Sequence, residues 1–204
     1  MFGDGVDFWK CFPSIKKLAI TCRDGENHFE LLPYLESLKL REGFRINHIW
    51  FPATLKKLTL LLCSLPWSDI SIFQSLPNLE VLKLKKKAFE GTQWNAGEQQ
   101  FRQLKFLRLD NLNIQHWEAQ TTSFPCLKLL SLWNCKYLQK IPLEIGEITT
   151  LELIETNNIN NSVVESIKRI QKEQYDEGNT ELKITVNGME LSTNVSEHEG
   201  SESE

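Results

Sequence analysis

Four histidines and five cysteines are the side chains of this chain best suited to metal or nucleophilic chemistry. Their spacing supports neither. His28, His48, His116 and His198 are scattered, and no His-x-x-x-His or Cys-x-x-Cys pair stands at zinc-binding spacing. His116 lies ten residues before Cys126, which is too weak a spacing to name a base and its thiol. No Ser or Cys carries the flanking glycines of a nucleophile elbow. Gly91 and Gly97 are one residue too far apart for a phosphate loop, and Glu98 stands where that loop needs Lys. The expectation is therefore a chain that is no enzyme, with no catalytic residue, metal or cofactor of its own.

What remains is the chemistry of contact. A set of bases and large apolar residues, Lys39, Arg41, Lys57, Lys83, Lys85, Phe106, Arg108, Leu129 and Trp133, sits at alternate positions within short apolar runs. Clustered bases steer an acidic partner and fix its orientation. Aromatic and aliphatic anchors such as Trp133, Phe106 and Leu129 dominate binding energy where they meet a partner. Lysines on a strand face also keep it soluble without any partner. The docking reading is favoured because these bases gather on one face of a chain with no net positive charge.

The element that must present them is written in the phrase Leu-x-x-Leu-x-Leu. It reads Ile15-Leu18-Ile20, Leu35-Leu38-Leu40, Leu55-Leu58-Leu60, Leu79-Leu82-Leu84, Leu104-Leu107-Leu109, Leu127-Leu130-Leu132 and Ile148-Leu151-Leu153. First members follow one another by 20, 20, 24, 25, 23 and 21 residues, the period of leucine-rich repeats. Residues two apart share one face of a strand, so each Leu-x-Leu pair points inward and its neighbours outward. The predicted fold is α/β: a leucine-rich-repeat solenoid with a curved parallel sheet on its concave side and irregular loops and short helices on its convex side. Outward positions are Lys17, Ala19, Thr21; Ser37, Lys39, Arg41; Lys57, Thr59, Leu61; Val81, Lys83, Lys85; Phe106, Arg108, Asp110; Leu129, Ser131, Trp133; and Thr150, Glu152, Ile154. The first five strands carry seven bases and one acid. The last two carry no base and expose Leu129, Trp133 and Ile154.

A large residue, usually followed by Pro, precedes each strand: Phe12-Pro13, Leu32-Pro33, Phe51-Pro52, Leu76-Pro77, Phe101-Arg102 and Phe124-Pro125. Proline lacks an N–H and fits just ahead of a strand. Phe51 has one extra residue before Leu55, which predicts a bulge. Ser68 is expected to N-cap a short helix. Trp50, Trp67, Trp94 and Trp117 are expected to pack the back of the stack, with an exposed aromatic row as the alternative. The longest linkers, 86–100 and 111–123, are expected to carry the most mobile loops. Ser162 with Glu165 has the capping-box form, and Val163, Ile167 and Ile170 follow at helical spacing. Residues 181–187 alternate as a last strand.

The domain reading is thus 1–14 as an incomplete N-terminal unit, 15–158 as seven repeats, 159–188 as a helix–strand C-terminal cap and 189–204 as an acidic disordered tail. The apolar column has no comparable cover at its other end, which is expected of the C-terminal part of a longer solenoid or of a truncated gene product. The net charge of -4 comes from the tail. Residues 190–204 hold five acids and no Lys or Arg, leaving 22 acids against 23 bases elsewhere. A basic nucleic-acid binder is not indicated. No run is long and apolar enough to span a bilayer, and the acidic N-terminus is unlike a secretory signal. Odd, irregularly spaced cysteines fit a reducing setting, so the expected location is the cytoplasm. The Asn-x-Ser triplets at Asn160 and Asn194 are then coincidental.

Longer phrases carry a resemblance. Leu76-Pro-Asn-Leu-Glu-Val-Leu-Lys-Leu-Lys with Ala88-Phe-Glu-Gly and Trp94 resembles the C-terminal repeats of plant intracellular immune receptors. So does Phe124-Pro-Cys-Leu-Lys-Leu-Leu-Ser-Leu-Trp-Asn-Cys-Lys-Tyr-Leu-Gln-Lys-Ile-Pro. Ile145-Gly-Glu-Ile-Thr-Thr-Leu-Glu-Leu-Ile-Glu, with Ser162-Val-Val-Glu-Ser-Ile, is similar to the ending of the late-blight-resistance type of coiled-coil, nucleotide-binding, leucine-rich-repeat receptor. The resemblance runs from about residue 12 to 188. It implies a recognition and autoinhibition module in defence against pathogens, whose partner is a pathogen effector or the receptor's own nucleotide-binding domain. It also implies that ADP or ATP binds in that central domain, none of whose motifs occurs in these residues, and that activation ends in localised cell death. The other reading is a free-standing repeat adaptor, such as the substrate arm of a ubiquitin ligase.

Overall fold

The computed structural model describes residues 11–21, 28–42, 50–97, 100–178 and 181–191. Most of the expected first unit (1–10) and of the acidic tail (192–204) lies outside the described residues, as do Cys22, His48, His198 and Asn194.

In chain order the strands are β1 (Lys17–Thr21), β2 (Ser37–Arg41), β3 (Lys57–Leu61), β4 (Leu65–Pro66), β5 (Val81–Lys85), β6 (Phe89–Glu90), β7 (Gln93–Asn95), β8 (Phe106–Asp110), β9 (His116–Glu118), β10 (Leu129–Trp133), β11 (Leu153–Asn157), β12 (Lys183–Val186) and β13 (Met189–Glu190). Nine of them make one sheet in the order β1-β2-β3-β5-β8-β10-β11-β12-β13. All its pairings are parallel except the closing β12–β13 hairpin. The molecule is α/β, with a large, mostly parallel sheet and few helices.

Register follows the apolar pattern. Leu18, Leu38, Leu58, Leu82, Leu107, Leu130, Ile154 and Ile184 lie side by side, one per strand. A second inward column runs Ile20, Leu40, Leu60, Leu84, Leu109, Leu132, Thr156 and Val186. A one-residue slip on any strand would turn its leucines to solvent, at about 1.5–3 kcal/mol for each side chain.

The seventh strand corrects the sequence reading. Ile148-Leu151-Leu153 has the right letters in the wrong phase. Leu151 donates its N–H to the Ile148 carbonyl, as Leu127 does to Phe124 and Leu104 to Phe101. Ile148 thus holds the place of the large residue that precedes a strand. The inward pair is Ile154 and Thr156, both buried. Leu153, Glu155 and Asn157 face outward, in place of Thr150, Glu152 and Ile154.

Behind the sheet the large residues form stacked rows. Trp67, Trp94 and Trp117 stack at centroid distances of 4.9 and 5.1 Å, with Phe89 4.6 Å from Trp67. Phe101 and Phe124 stack at 5.5 Å. Three of the four tryptophans are therefore back-side packing, while Trp50 is 71% exposed. In place of the expected bulge, Pro52 is buried and its carbonyl receives the Leu55 N–H, the role Leu76 plays for Leu79. Phe51, one residue earlier, still lies 6.1 Å from Phe29 and 5.6 Å from Phe73. The linkers expected to carry mobile loops contain short strands, β6 paired with β4, and β7 paired with β9.

Two helix starts differ from expectation. Ser68 lies inside a 3-10 turn, Trp67–Asp69, ahead of the helix Ile70–Gln74. The long helix is Asn161–Asp176, and its N-cap is Asn160 rather than Ser162. The Asn160 side chain accepts from the Val163 N–H and donates to the Leu138 carbonyl, so it caps the helix and ties it to the preceding unit. This helix buries Val163, Ile167 and Ile170 against the end of the stack.

Candidate functional site

Each five-residue strand spends two side chains on the core and offers three outward. Parallel register turns these into rows across the sheet, with neighbours about 4.8 Å apart. The row nearest the strand starts reads Lys17, Ser37, Lys57, Val81, Phe106, Leu129, Leu153 and Lys183. The middle row reads Ala19, Lys39, Thr59, Lys83, Arg108, Ser131, Glu155 and Thr185. The far row reads Thr21, Arg41, Leu61, Lys85, Asp110, Trp133 and Asn157. Val81, Phe106, Leu129 and Leu153 make a continuous half-buried apolar strip. Beside it stands a basic field.

Asp110 organises the polar part. Its carboxylate accepts from Arg108 Nη2 at 3.1 Å and lies 3.6 Å from Lys85 Nζ. The Arg108 guanidinium is thereby laid over the Trp133 ring, 4.5 Å from its centroid. Lys83 Nζ sits 5.2 Å from the Phe106 centroid. Such contacts are worth roughly 0.5–1 kcal/mol each where solvent is near. The buried Ser131 hydroxyl donates to Glu155 at 3.2 Å. The Arg108 Nε and Trp133 Nε1 donors are buried with no hydrogen-bond acceptor among the described residues.

Burial, and then the nearby charges of Lys85, Arg108 and Lys57, holds the Lys83 amine below the usual lysine value. Among the described residues, no carboxylate pairs with Lys17, Lys39, Lys57 or Lys83. Arg41, at the far end, bonds its neighbour Glu42 at 3.1 Å. The face thus holds like charges together without enough acids of its own to balance them.

Of the residues marked in the sequence, Lys83, Lys85, Phe106, Arg108, Leu129 and Trp133 fall on three adjacent strands, β5, β8 and β10. Lys57 lies on the next strand, and Lys39 and Arg41 on the one beyond. Ile154, expected outward, is buried in the core. Sequence reasoning passed over Asp110 as a mere exception among the bases, although its position opposite Lys85 was readable from the repeat. It also left Val81 out of the contact set and read Leu153 as inward, whereas the two extend the apolar strip at its ends.

Away from this face, Cys63 and Cys135 are buried just after their strands. Their thiols donate to backbone carbonyls, Cys63 to Leu61 at 3.5 Å and Cys135 to Trp133 at 3.5 Å. Among the described residues no group of three or more His, Cys, Asp or Glu converges in a way that could hold a metal ion. Nor is any helix among them long and apolar enough to cross a membrane.

No family model matches the chain. Over 91% of its length it is 33% identical to the late blight resistance protein homolog R1B-16 of Solanum demissum. Over 85% of its length it is 31% identical to the homolog R1B-13 and 31% identical to the homolog R1B-23 of the same plant. The chain is a relative of the late-blight-resistance proteins. It spans 15% of R1B-16, 16% of R1B-13 and 15% of R1B-23. Similarity to the late-blight-resistance proteins thus covers nearly all of this chain and a minor part of each of theirs.

Proposed function

We propose that the chain is a leucine-rich-repeat solenoid that works by binding protein, as a recognition and autoinhibition module of a plant immune receptor in the cytoplasm. The in-register stacking of 20- to 25-residue units supports the solenoid. The helix Asn161–Asp176 and β12 serve as its C-terminal cap. The outward sheet face is the docking surface, and its work needs no catalytic group or cofactor from this chain. The names of the relatives support a role in disease resistance.

One observation carries the reading. Bases lacking a carboxylate partner among the described residues (Lys39, Lys57, Lys83) run across β2, β3 and β5 and meet an aromatic and aliphatic group (Phe106, Leu129, Trp133) on the adjoining β8 and β10 of the same sheet face. That pairing fits a partner with an acidic surface and an apolar centre. The nucleotide-binding domain of a coiled-coil resistance receptor is the partner to titrate first. Lys39→Glu, Lys57→Glu and Lys83→Glu together should weaken its binding at least tenfold, as should a rise from about 0.05 to 0.5 M salt. Binding that ignores both the charge reversal and the salt would refute this reading.

A further inference from the structure

We propose that this face also takes an occupant from within the chain, the acidic segment 192–204, so that an external partner must displace it. The inference rests on the docking reading of the face. Its first support is charge. The segment carries Glu197, Glu199, Glu202 and Glu204 and no Lys or Arg. The face carries Lys17, Lys39, Lys57 and Lys83, which no carboxylate of the described residues pairs. The mutual repulsion of Lys57, Lys83, Lys85 and Arg108 is relieved by an acidic strand laid across them.

The second support is position. Leu191, the last described residue, is held beside β12: its N–H donates to the Ile184 carbonyl at 2.9 Å, and its carbonyl accepts from Gln171 at 3.1 Å. From β13 the sheet runs through β12, β11, β10 and β8 to β5, β3 and β2. At ~4.8 Å per strand, β5, β3 and β2 lie about 24, 29 and 34 Å away. An extended chain advances ~3.3 Å per residue. Glu199, Glu202 and Glu204 therefore reach about 26, 36 and 43 Å, enough to arrive at Lys83, Lys57 and Lys39 in that order. On the same path Val195, the one large aliphatic residue of the segment, passes over Leu153 and Leu129.

Zero-length carbodiimide coupling of the full chain, read by mass spectrometry, tests this. The reaction joins a Glu carboxylate to a Lys amine with loss of water, which the carbodiimide takes up as a urea. An equal mixture of isotope-labelled and unlabelled chains separates links within a chain from links between chains. The expected products join Glu199, Glu202 or Glu204 to Lys39, Lys57 or Lys83 within one chain. Their yield should fall at least fivefold at about 0.5 M salt. Three results would overturn the proposal: no tail links, links to Lys128, Lys136 and Lys168 as abundant as those to the face, or links only between chains. The outcome is separable from that of the docking reading. A partner that binds the face of a chain showing no tail links leaves the docking reading standing and removes this inference. Tail links in a chain that binds no partner would do the reverse.

Discussion

At the scale of single residues, burial decides what each side chain can do. Cys135, whose spacing points to neither metal nor nucleophilic chemistry, shows this. Burial, with a smaller push from Asp110, raises its thiol from 9.0 to about 11. It is therefore a small core residue that resists forming a thiolate. A group whose folded value is raised stabilises the fold fully below its unfolded value, and that stability is lost as pH rises through the folded one. The native chain should lose stability between pH 9 and about 11, and Cys135→Ala should flatten that part of the curve. Denaturant melts at stepped pH provide the check, and an identical alkaline slope in the variant would remove the claim. Trp133 differs from Trp67, Trp94 and Trp117 in the same terms. Those three stack on one another inside, whereas Trp133 is half-buried on the outward face under Arg108.

At the scale of elements, fit and backbone conformation set the limits. Gly146 lies where the long helix meets the stack. A Cβ there would sit 2.7 Å from Ile170 Cγ2 and 3.1 Å from the Leu143 carbonyl oxygen. Gly146→Ala should therefore cost about 1–3 kcal/mol by pushing the helix Asn161–Asp176 outward, seen as a lower melting temperature; an unchanged midpoint would mean the helix is not seated there. Each strand from β2 to β12 in the main sheet is followed by a left-handed residue: Glu42, Leu62, Lys86, Asn111, Asn134, Asn158 and Asn187. Asn tolerates that conformation better than Lys. Lys86→Asn should stabilise by roughly 0.5–1 kcal/mol, and a fall in stability would show that the Lys86 side chain contributes more than its backbone costs.

The strands whose inward pair is spelled Leu-x-Leu were legible because a period of two with three aliphatic letters admits one phase. The seventh strand was not, because Ile148 and Leu153 imitate the pattern while Thr156 hides an inward position behind a polar letter. The cap was misplaced for a similar reason. Ser162 and Glu165 satisfy a local rule, but Asn160 also reaches the Leu138 carbonyl, and that tertiary bond is invisible in sequence. The outward face was readable as a set of outward letters. The grip of Asp110 on Arg108 and Lys85, and the stacking of Arg108 on Trp133, required the register between strands.

At the scale of the whole molecule, the proposed repeat reading makes stability nearly additive over the units and leaves the outward face free for a partner. The core takes most of the leucines, and the back takes Trp67, Trp94 and Trp117 with Phe101 and Phe124. The outward rows are where side chains can change with little cost to folding. The most direct measurement replaces Trp133 by Ala and reads partner affinity and melting temperature together. The account predicts a loss of about 2 kcal/mol in binding, near 30-fold, and a melting temperature lower by no more than about 4 °C. A large loss of folding with unchanged affinity would contradict it, placing Trp133 in the core and the docking surface elsewhere.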